Sequence, residues 1–113
     1  MPYLKITSNI DPIAEKAVLL KELTAFVAHL LGKSSRYVMV EMFTNNNMSF
    51  GSNQEPLAYV ELKSIGLPIE KTKFLSKEIS NFISTKYGID EDRIYIEFSN
   101  VERDKWGWNG TTF

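Results

Sequence analysis

Two stretches with the same pattern decide the fold of this chain: Val38-Met39-Val40-Glu41-Met42 and Ile94-Tyr95-Ile96-Glu97-Phe98. They lie 56 positions apart, and a shift of the sequence by 56 aligns the whole chain with itself without a gap. Identical pairs at that shift are Tyr3/Tyr59, Ser8/Ser64, Pro12/Pro68, Ile13/Ile69, Leu19/Leu75, Lys21/Lys77, Glu22/Glu78, Phe26/Phe82 and Gly32/Gly88. Because the matches fall on periodic apolar positions and on Gly and Pro, they indicate two copies of one supersecondary unit, residues 2–57 and 58–113.

Each copy reads as strand, helix, strand. The first strands are predicted over about Pro2–Ser8 and Leu57–Ser64, and the closing strands over about Arg36–Thr44 and Arg93–Asn100. These segments alternate apolar and polar residues with the period of two that a strand with one buried face requires. Two βαβ units side by side predict a single α/β (α+β) domain over residues 1–113, with a four-stranded mixed sheet and two helices on one face.

A helix is predicted between the two strands of each copy. Asp11-Pro12 and Leu67-Pro68 open these helices, since proline suits the first helical turn. Gly32 and Gly88 lie where a left-handed residue would cap the C-terminal ends. Apolar residues recur at helical spacing between these signals: Val18, Leu19, Leu23, Phe26, Val27 and Leu30 in one copy, and Phe74, Leu75, Ile79, Phe82 and Ile83 in the other.

The two faces of the predicted sheet differ in character. The face that the helices can cover carries Leu4, Ile6, Val38, Val40, Val60, Leu62, Ile94 and Ile96. The opposite face, called the mixed face below, carries Tyr3, Lys5, Met39, Glu41, Tyr59, Glu61, Lys63, Tyr95 and Glu97. It is too charged for a dry core, and no third layer of the chain is available to cover it. Since Met48-Ser49-Phe50 and the tail Trp106–Phe113 can pair with a neighbour, we expect self-association into a closed ring with the mixed face inside.

The composition excludes several classes of function. The 113 residues carry a net charge of −1, which gives no electrostatic case for binding nucleic acid or a membrane surface. The chain has no cysteine, so it has no disulfide, thiolate metal site or cysteine nucleophile. It also lacks a transmembrane stretch and the apolar region of a signal peptide. We therefore expect a cytoplasmic protein, and secretion without a signal peptide stays open.

The chain begins Met1-Pro2, at the start of the first predicted strand. An initiator Met before a small residue is usually removed, and its removal would leave a secondary amine at Pro2, held by the sheet. An α-amino group titrates at roughly 8 before burial or nearby cations lower its pKa, so a free N-terminal proline can act as a base or nucleophile. Many chains begin Met-Pro without such a role, and the dipeptide alone does not establish catalysis.

Several short segments, in order and at matching spacing, resemble the macrophage migration inhibitory factor family of the tautomerase superfamily over essentially the full length. They are Met1-Pro2, Gly32-Lys33 followed by Tyr37, Phe50-Gly51, Glu55-Pro56, Ser64-Ile65-Gly66, Asp92-Arg93-Ile94-Tyr95-Ile96, Gly107-Trp108-Asn109 and Thr112-Phe113. The resemblance implies a homotrimer with active sites at the subunit boundaries. It also implies keto–enol tautomerisation of a small 2-keto acid such as phenylpyruvate, with no metal or organic cofactor.

The resemblance implies a role for each candidate site residue. Pro2 is the expected catalytic base, and Lys33 is the cation that orients a substrate carboxylate and lowers the pKa of Pro2. The backbone N–H of Ile65, which follows Ser64, and the phenol of Tyr95 from the neighbouring subunit are the expected hydrogen-bond donors. The remaining candidates form the aromatic walls and mouth of the pocket: Tyr3, Tyr37, Trp106, Trp108 and Phe113.

Each of these residues also has a purely structural interpretation. Lys33 near a helix C-terminus is favoured by the helix dipole. Ile65 can be simply the end of a strand, and Tyr95 an ordinary aromatic of the sheet face. The aromatic residues equally suit packing between subunits. The residues alone leave these alternatives open.

Three departures from the family pattern bear on activity. Glu97 stands where vertebrate members carry a neutral amide, and its carboxylate would repel an anionic substrate and raise the pKa of Pro2. Lys63 replaces a histidine and is expected to pair with Glu97 or to steer acids. The arginines with which the dehalogenase and oxalocrotonate branches bind dicarboxylates have no evident counterpart near Pro2. We therefore expect weak phenylpyruvate turnover.

Three functions remain open at this point. The first is a cofactor-free phenylpyruvate or dopachrome tautomerase that uses Pro2. The second is a non-enzymatic signalling or protein-binding trimer with a vestigial pocket and an unknown protein receptor. The third is a member of the superfamily whose natural substrate is another α-keto or unsaturated acid.

Overall fold

The computed structural model describes residues 1–11 and 14–113 of the chain. Its main sheet contains β1 (Tyr3–Ser8), β2 (Met39–Phe43), β3 (Ala58–Ile65) and β4 (Ile94–Val101). The two helices of 16 residues each are α1 (Lys16–Leu31) and α2 (Thr72–Tyr87). A small hairpin near the C-terminus consists of β5 (Gly107–Trp108) and β6 (Thr111–Thr112). None of the helices described is long and apolar enough to cross a membrane.

The sheet has the strand order β2-β1-β3-β4. Strands β1 and β2 are parallel, β3 and β4 are parallel, and β1 and β3 are antiparallel. The register is the same in both copies, because Leu4 pairs with Val40 and Val60 pairs with Ile96. The mixed four-stranded sheet with two helices is therefore confirmed.

The hydrophobic core lies between the helices and one face of the sheet. On the two central strands Leu4, Ile6, Val60 and Leu62 are at most 1% exposed. They belong to one cluster with buried residues of both helices: Leu23, Val27, Leu75, Ile79 and Ile83. Fully burying one such side chain contributes about 1.5–3 kcal/mol, so this layer supplies most of the driving force for folding.

The opposite, mixed face is open in comparison. Met39 on the edge strand β2 exposes 66% of its surface, and Tyr95 on the edge strand β4 exposes 63%. Lys63 and Glu97 are exposed as well. The difference between the two faces that the alternating pattern predicts is thus present in the structure.

The two helices meet through equivalent residues of the two copies. The rings of Phe26 and Phe82 stack with centroids 4.0 Å apart and an interplanar angle of 16°. Because these residues occupy the same position in each copy, the stack lies where the approximate twofold axis that relates the copies passes between the helices.

The predicted C-terminal helix caps are confirmed. Gly32 and Gly88 have φ angles of 63° and 69°, in the left-handed region that side chains disfavour. The N–H groups of Gly32 and Lys33 donate to the carbonyls of His29 and Ala28, which satisfies two of the orphan acceptors at the end of α1.

The element starts differ from the prediction. Pro12 and Ile13 lie outside the described residues, and α1 is assigned from Lys16. Pro68 is extended, with ψ of 151°, and a 3₁₀ helix over Ile69–Lys71 precedes α2. Short 3₁₀ helices also replace the first residues of both predicted closing strands: Ser35–Tyr37 and Glu91–Arg93. Arg36 and Arg93 consequently lie in turns at the ends of strands, where their side chains can reach loops and cavities.

We predict that Phe26→Leu and Phe82→Leu are coupled in a double-mutant cycle. The stacked rings should give an interaction free energy of about 0.5–1.5 kcal/mol beyond their burial. The measurement is denaturant unfolding of the wild type, both single variants and the double variant at one protein concentration. Phe26→Leu combined with Phe43→Leu, on the edge strand β2, is the control and should be additive. If the free-energy changes of Phe26→Leu and Phe82→Leu simply add in the double variant, the stacked rings do not contribute an interaction of their own.

Candidate active site

The start of the chain is fixed inside the structure. Pro2 is buried, with less than 2% of its surface exposed. Its carbonyl accepts a hydrogen bond of 3.0 Å from the N–H of Met39, which ties it to the start of β2. A cavity of about 590 Å³ opens beside it, with Met1 in its lining. Six of the predicted site residues line this one cavity: Pro2, Tyr3, Tyr37, Trp106, Trp108 and Phe113.

One side of the cavity is an aromatic wall of Tyr37, Trp108 and Phe113. The Tyr37 ring meets Trp108 edge-on at 5.3 Å and Phe113 at 5.8 Å, and the last two rings stack at 5.5 Å. The tail is held in place by a bond of 3.1 Å from the Phe113 N–H to the Trp106 carbonyl. Such rigid rings provide a surface for a flat apolar ligand at low entropic cost.

The Asn-Gly turn of the terminal hairpin orients this wall. Asn109 and Gly110 have φ angles of 52° and 78°. Positive φ at both central residues is the geometry that a two-residue hairpin turn requires, and Asn-Gly is its preferred sequence. The turn pairs Trp108 with Thr111 and returns the chain toward Phe113.

Lys33 follows the cap of α1 and lies close to the start of the chain. Its Nζ donates to the carbonyl of Ile65 at 3.5 Å. Burial first, and then the positive charge of Lys33, lower the pKa of the Met1 amino group. Lys33 and Ser64 line a separate cavity of about 210 Å³ rather than the one beside Pro2. The charge of Lys33 therefore acts on the start of the chain although its side chain lines the neighbouring cavity.

Tyr95 and Glu97 are not brought to this cavity within one chain. Tyr3 pairs with Lys63 at one end of the sheet, whereas Thr7, Tyr59 and Tyr95 form a row at the other end. Four residues along β1 correspond to about 13 Å, and two strand spacings add about 10 Å across the sheet. A Tyr95 side chain cannot span that separation.

The two glutamates of the repeated pattern are bound by the two tyrosines of the repeated first strand. The Tyr3 hydroxyl donates to Glu41 Oε1 at 2.6 Å, and the Tyr59 hydroxyl donates to Glu97 Oε1 at 2.9 Å. The bond to Glu41, followed by burial, raises the pKa of Tyr3 to about 12. The bond to Glu97 likewise raises the pKa of Tyr59. Both phenols are therefore neutral donors that serve the mixed face of their own chain.

Arg93 holds the loop that leads to the mixed face. Its guanidinium donates to four backbone carbonyls, at 3.0–3.3 Å: Phe50, Asn53, Glu55 and Pro56. The same loop places the Phe50 ring 4.7 Å from the Tyr95 ring. Arg93 thus fixes the surroundings of Tyr95, a role that the sequence pattern gave no reason to assign.

Cationic side chains at the cavity were partly missed by sequence reasoning. Arg36, Lys63 and Lys105 line the cavity beside Pro2. Sequence reasoning had assigned no role at this cavity to Arg36 or Lys105. Lys63 makes no ion pair with Glu97 among the described residues. The available signal was that Arg36 and Lys105 each directly precede an aromatic candidate, Tyr37 or Trp106.

The comparisons with known proteins agree over the whole length of the chain. The family model described as macrophage migration inhibitory factor matches residues 1–113. The chain belongs to the macrophage migration inhibitory factor family. A homologue from Trichinella spiralis is 34% identical over the full length of both chains, and the Xenopus tropicalis protein is 31% identical over 100% of this chain and 99% of its own.

Solved structures of the family have the same fold. The homologue from Prochlorococcus marinus superposes with a TM-score of 0.90 at 41% identity, covering 98% of both chains. The Trichinella spiralis protein gives a TM-score of 0.91 at 34% identity, covering 98% of this chain and 99% of that one. The resemblance that the short segments carry is confirmed.

Alkaline pH should reveal the bond between Tyr3 and Glu41. The pKa of Tyr3 is about 12 in the folded chain and about 10 when unfolded, so its contribution to stability is complete below pH 10 and is lost as the pH rises through 12. We expect the free energy of unfolding of Tyr3→Phe to fall less than that of the wild type over this interval.

The measurement is denaturant unfolding at several pH values between about 10 and about 12, the interval set by the pKa values of Tyr3. Tyr87, whose pKa burial raises to about 12, and Tyr59, whose pKa the bond to Glu97 raises, contribute to the dependence that remains in the variant. If the free energy of unfolding falls equally with pH in the wild type and in Tyr3→Phe, the bond to Glu41 does not raise the pKa of Tyr3.

Proposed function

We propose that the protein is a cofactor-free keto–enol tautomerase of the phenylpyruvate and dopachrome type, in which Pro2 is the general base once Met1 is removed. Family membership supports an isomerase-type or cytokine-like role at a coarse level. The observation that carries the finer proposal is the start of the chain, which is buried, close to Lys33 and beside an aromatic cavity.

A base that removes a proton next to a carbonyl must itself be unprotonated near neutral pH. Burial and Lys33 already lower the pKa of the amine when it is carried by Met1. Pro2 is more deeply buried than Met1, and an amine on Pro2 would feel the same two influences. The pKa of a free amine at Pro2 is therefore expected to be lowered as well, which favours the neutral base.

The charge that develops on the substrate needs donors and a cation. Lys33 is the proposed cation for the substrate carboxylate, and the backbone N–H of Ile65 beside Ser64 is a proposed donor. The bond of 3.5 Å between Lys33 and Ile65 supports this pairing, since it brings both groups to the same end of β3. Tyr37, Trp106, Trp108 and Phe113 would hold the ring of an aromatic substrate, with Tyr3 at the mouth.

Completion of the site requires a second copy of the chain. Tyr95 lies at the end of the sheet remote from Pro2, Glu97 lies in mid-sheet in the row of Glu61 and Lys5, and both are exposed. An open mixed face and unpaired edge strands β2 and β4 also call for partners. We propose a homotrimer in which Tyr95 of one subunit donates to the enolate in the site of the next, while Phe50 and Arg93 hold that tyrosine in place.

A second candidate is a signalling or protein-binding trimer with a vestigial pocket. The observation in its favour is Glu97, an acidic group placed beside Tyr95 where a substrate anion would approach. Measured turnover of a keto–enol substrate by the processed protein decides between the two functions. If the protein is an enzyme of this type, an α-keto acid other than phenylpyruvate is also admissible as its natural substrate.

Replacement of the base tests the proposal directly. Pro2→Gly should lower kcat/KM for phenylpyruvate and for dopachrome methyl ester by about a hundredfold or more, because a general base contributes roughly 10²–10⁴. Folding should be unharmed, since the backbone bond that Pro2 makes with Met39 is accepted by its carbonyl, which glycine retains. The assays are the decay of the enol or dopachrome absorbance, with intact mass to establish whether Met1 is absent.

Protein that retains Met1 is the matched control for this experiment. Its Pro2 nitrogen is an amide without a basic lone pair, so it should be as inactive as Pro2→Gly. Activity that survives either change would rule out Pro2 as the base. Absence of activity in the processed wild type would favour the protein-binding alternative.

Removal of the negative charge of Glu97 should raise the activity. We expect Glu97→Asn to raise kcat/KM for phenylpyruvate about two- to fivefold, because it removes a repulsion between partly exposed charges. The asparagine oxygen can still accept the bond from Tyr59. Glu78→Asn on α2 makes the same change of charge away from the site and should leave kcat/KM unaltered. An equal effect of both variants, or no gain with Glu97→Asn, would contradict the role assigned to Glu97.

A further inference from the structure

The cavity beside Pro2 has a second feature that the tautomerase proposal does not use. Three cationic side chains, Arg36, Lys63 and Lys105, line it together with the aromatic wall, and no aspartate or glutamate is among the lining residues. The chain as a whole has a net charge of −1. The positive charge at the cavity is thus a local arrangement and not a consequence of a basic composition.

No aspartate or glutamate side chain of the described residues forms an ion pair with any of these three cations. Among the described residues, which include every charged residue, the ion pair found is that between Lys86 and Glu22, on the two helices. Like charges that line one largely apolar cavity repel one another, and an anion placed among them would relieve that repulsion. The arrangement therefore favours an anionic group in this cavity.

Arg36 differs from the other two arginines of the chain. Arg93 donates to four backbone carbonyls and Arg103 donates to the carbonyl of Phe113. In the described part of the chain, no acceptor receives a bond from the Arg36 guanidinium, which lies 5.4 Å from the centroid of the Tyr37 ring. A guanidinium held against an aromatic face, with its donors unused, is suited to bind a carboxylate through two parallel hydrogen bonds.

A second and separate cation serves the start of the chain. Lys33 contacts Ile65, lines a different cavity and acts on the charge of the terminal amine. A substrate whose reacting carboxylate binds Lys33 would have its far end in the larger cavity, along Tyr37 and toward Arg36. The volume of about 590 Å³ is adequate for a ligand with an aromatic or similarly sized body and a terminal charged group.

We propose that the preferred substrate is a dianion, an α-keto acid with a second carboxylate at the end remote from the keto group, and that Arg36 with Lys63 and Lys105 binds this second carboxylate. The assignment of the reacting end rests on the tautomerase function proposed above. Arg36 determines specificity and takes no part in the proton transfer.

Binding of unreactive acids tests this assignment without any turnover. Phenylpropanoate and para-carboxyphenylpropanoate lack the keto group and differ by one carboxylate at the far end of the ring. Calorimetric or NMR titration of the processed wild type at low salt should give at least about tenfold tighter binding of the dicarboxylate, as a charge-assisted bidentate contact predicts. Arg36→Gln should remove most of this preference.

Lys77→Gln is the matched control, because it removes one positive charge from an exposed position on α2 outside the cavity. It should keep the preference for the dicarboxylate. Equal affinity for both acids in the wild type, no detectable binding of either, or equal loss of preference in the two variants would overturn the proposal.

Turnover measurements test the dianion preference and the tautomerase activity separately. The quantity is the ratio of kcat/KM for para-carboxyphenylpyruvate to that for phenylpyruvate, which cancels general damage to a variant. A ratio of about ten or more in the wild type that falls toward one in Arg36→Gln supports the dianion. Turnover that depends on Pro2 with a ratio near one would retain the tautomerase and reject the dianion. Preferential dicarboxylate binding without turnover would retain the anion site and reject the tautomerase.

Discussion

The placement of β1 in the middle of the sheet is the constraint on which the rest of this structure depends. Chain termini usually fray because few contacts hold them. Here β1 is hydrogen-bonded to β2 on one side and to β3 on the other, and Pro2 is tied to Met39 before the strand begins. Pro2 is thereby fixed inside the molecule without a loop to support it. In the proposed mechanism, removal of Met1 would place the reactive amine at this fixed position.

The two copies share strands and a helix, but the candidate site residues Pro2, Lys33 and Tyr37 occur in the first copy alone. The position equivalent to Pro2 in the second copy is Ala58, which is in mid-chain and has no free amine. The position equivalent to Lys33 is Ile89, which is fully buried, and the position equivalent to Tyr37 is Arg93, which holds the loop at Phe50. One copy has thus kept the groups that surround the chain start, while the other has used the same positions for packing and for support of Tyr95.

Periodicity was sufficient to predict the sheet, the helices and their caps, because each of these follows from a local rule: alternation in strands, spacing in helices, glycine at φ near 65°. It did not predict the short 3₁₀ helices; Ser35–Tyr37 and Glu91–Arg93 overlap the predicted strand starts, and Ile69–Lys71 lies in the predicted first turn of a helix. The aromatic candidates were placed by resemblance to the family. Arg36 and Lys105 were missed because 69 residues separate them in sequence. Only the return of the tail to β1 and the turn before β2 brings both to one cavity.

In the proposed mechanism, the balance of charge around Pro2 determines how strong a base it can be. Within one chain, Lys33 lowers the pKa of the terminal amine, and three further cations line the adjoining cavity. Against these, a second subunit would add the carboxylate of Glu97, which is already engaged by the hydroxyl of Tyr59 in its own chain. We therefore expect Glu97 to slow catalysis through its repulsion of anionic substrates rather than by keeping Pro2 protonated.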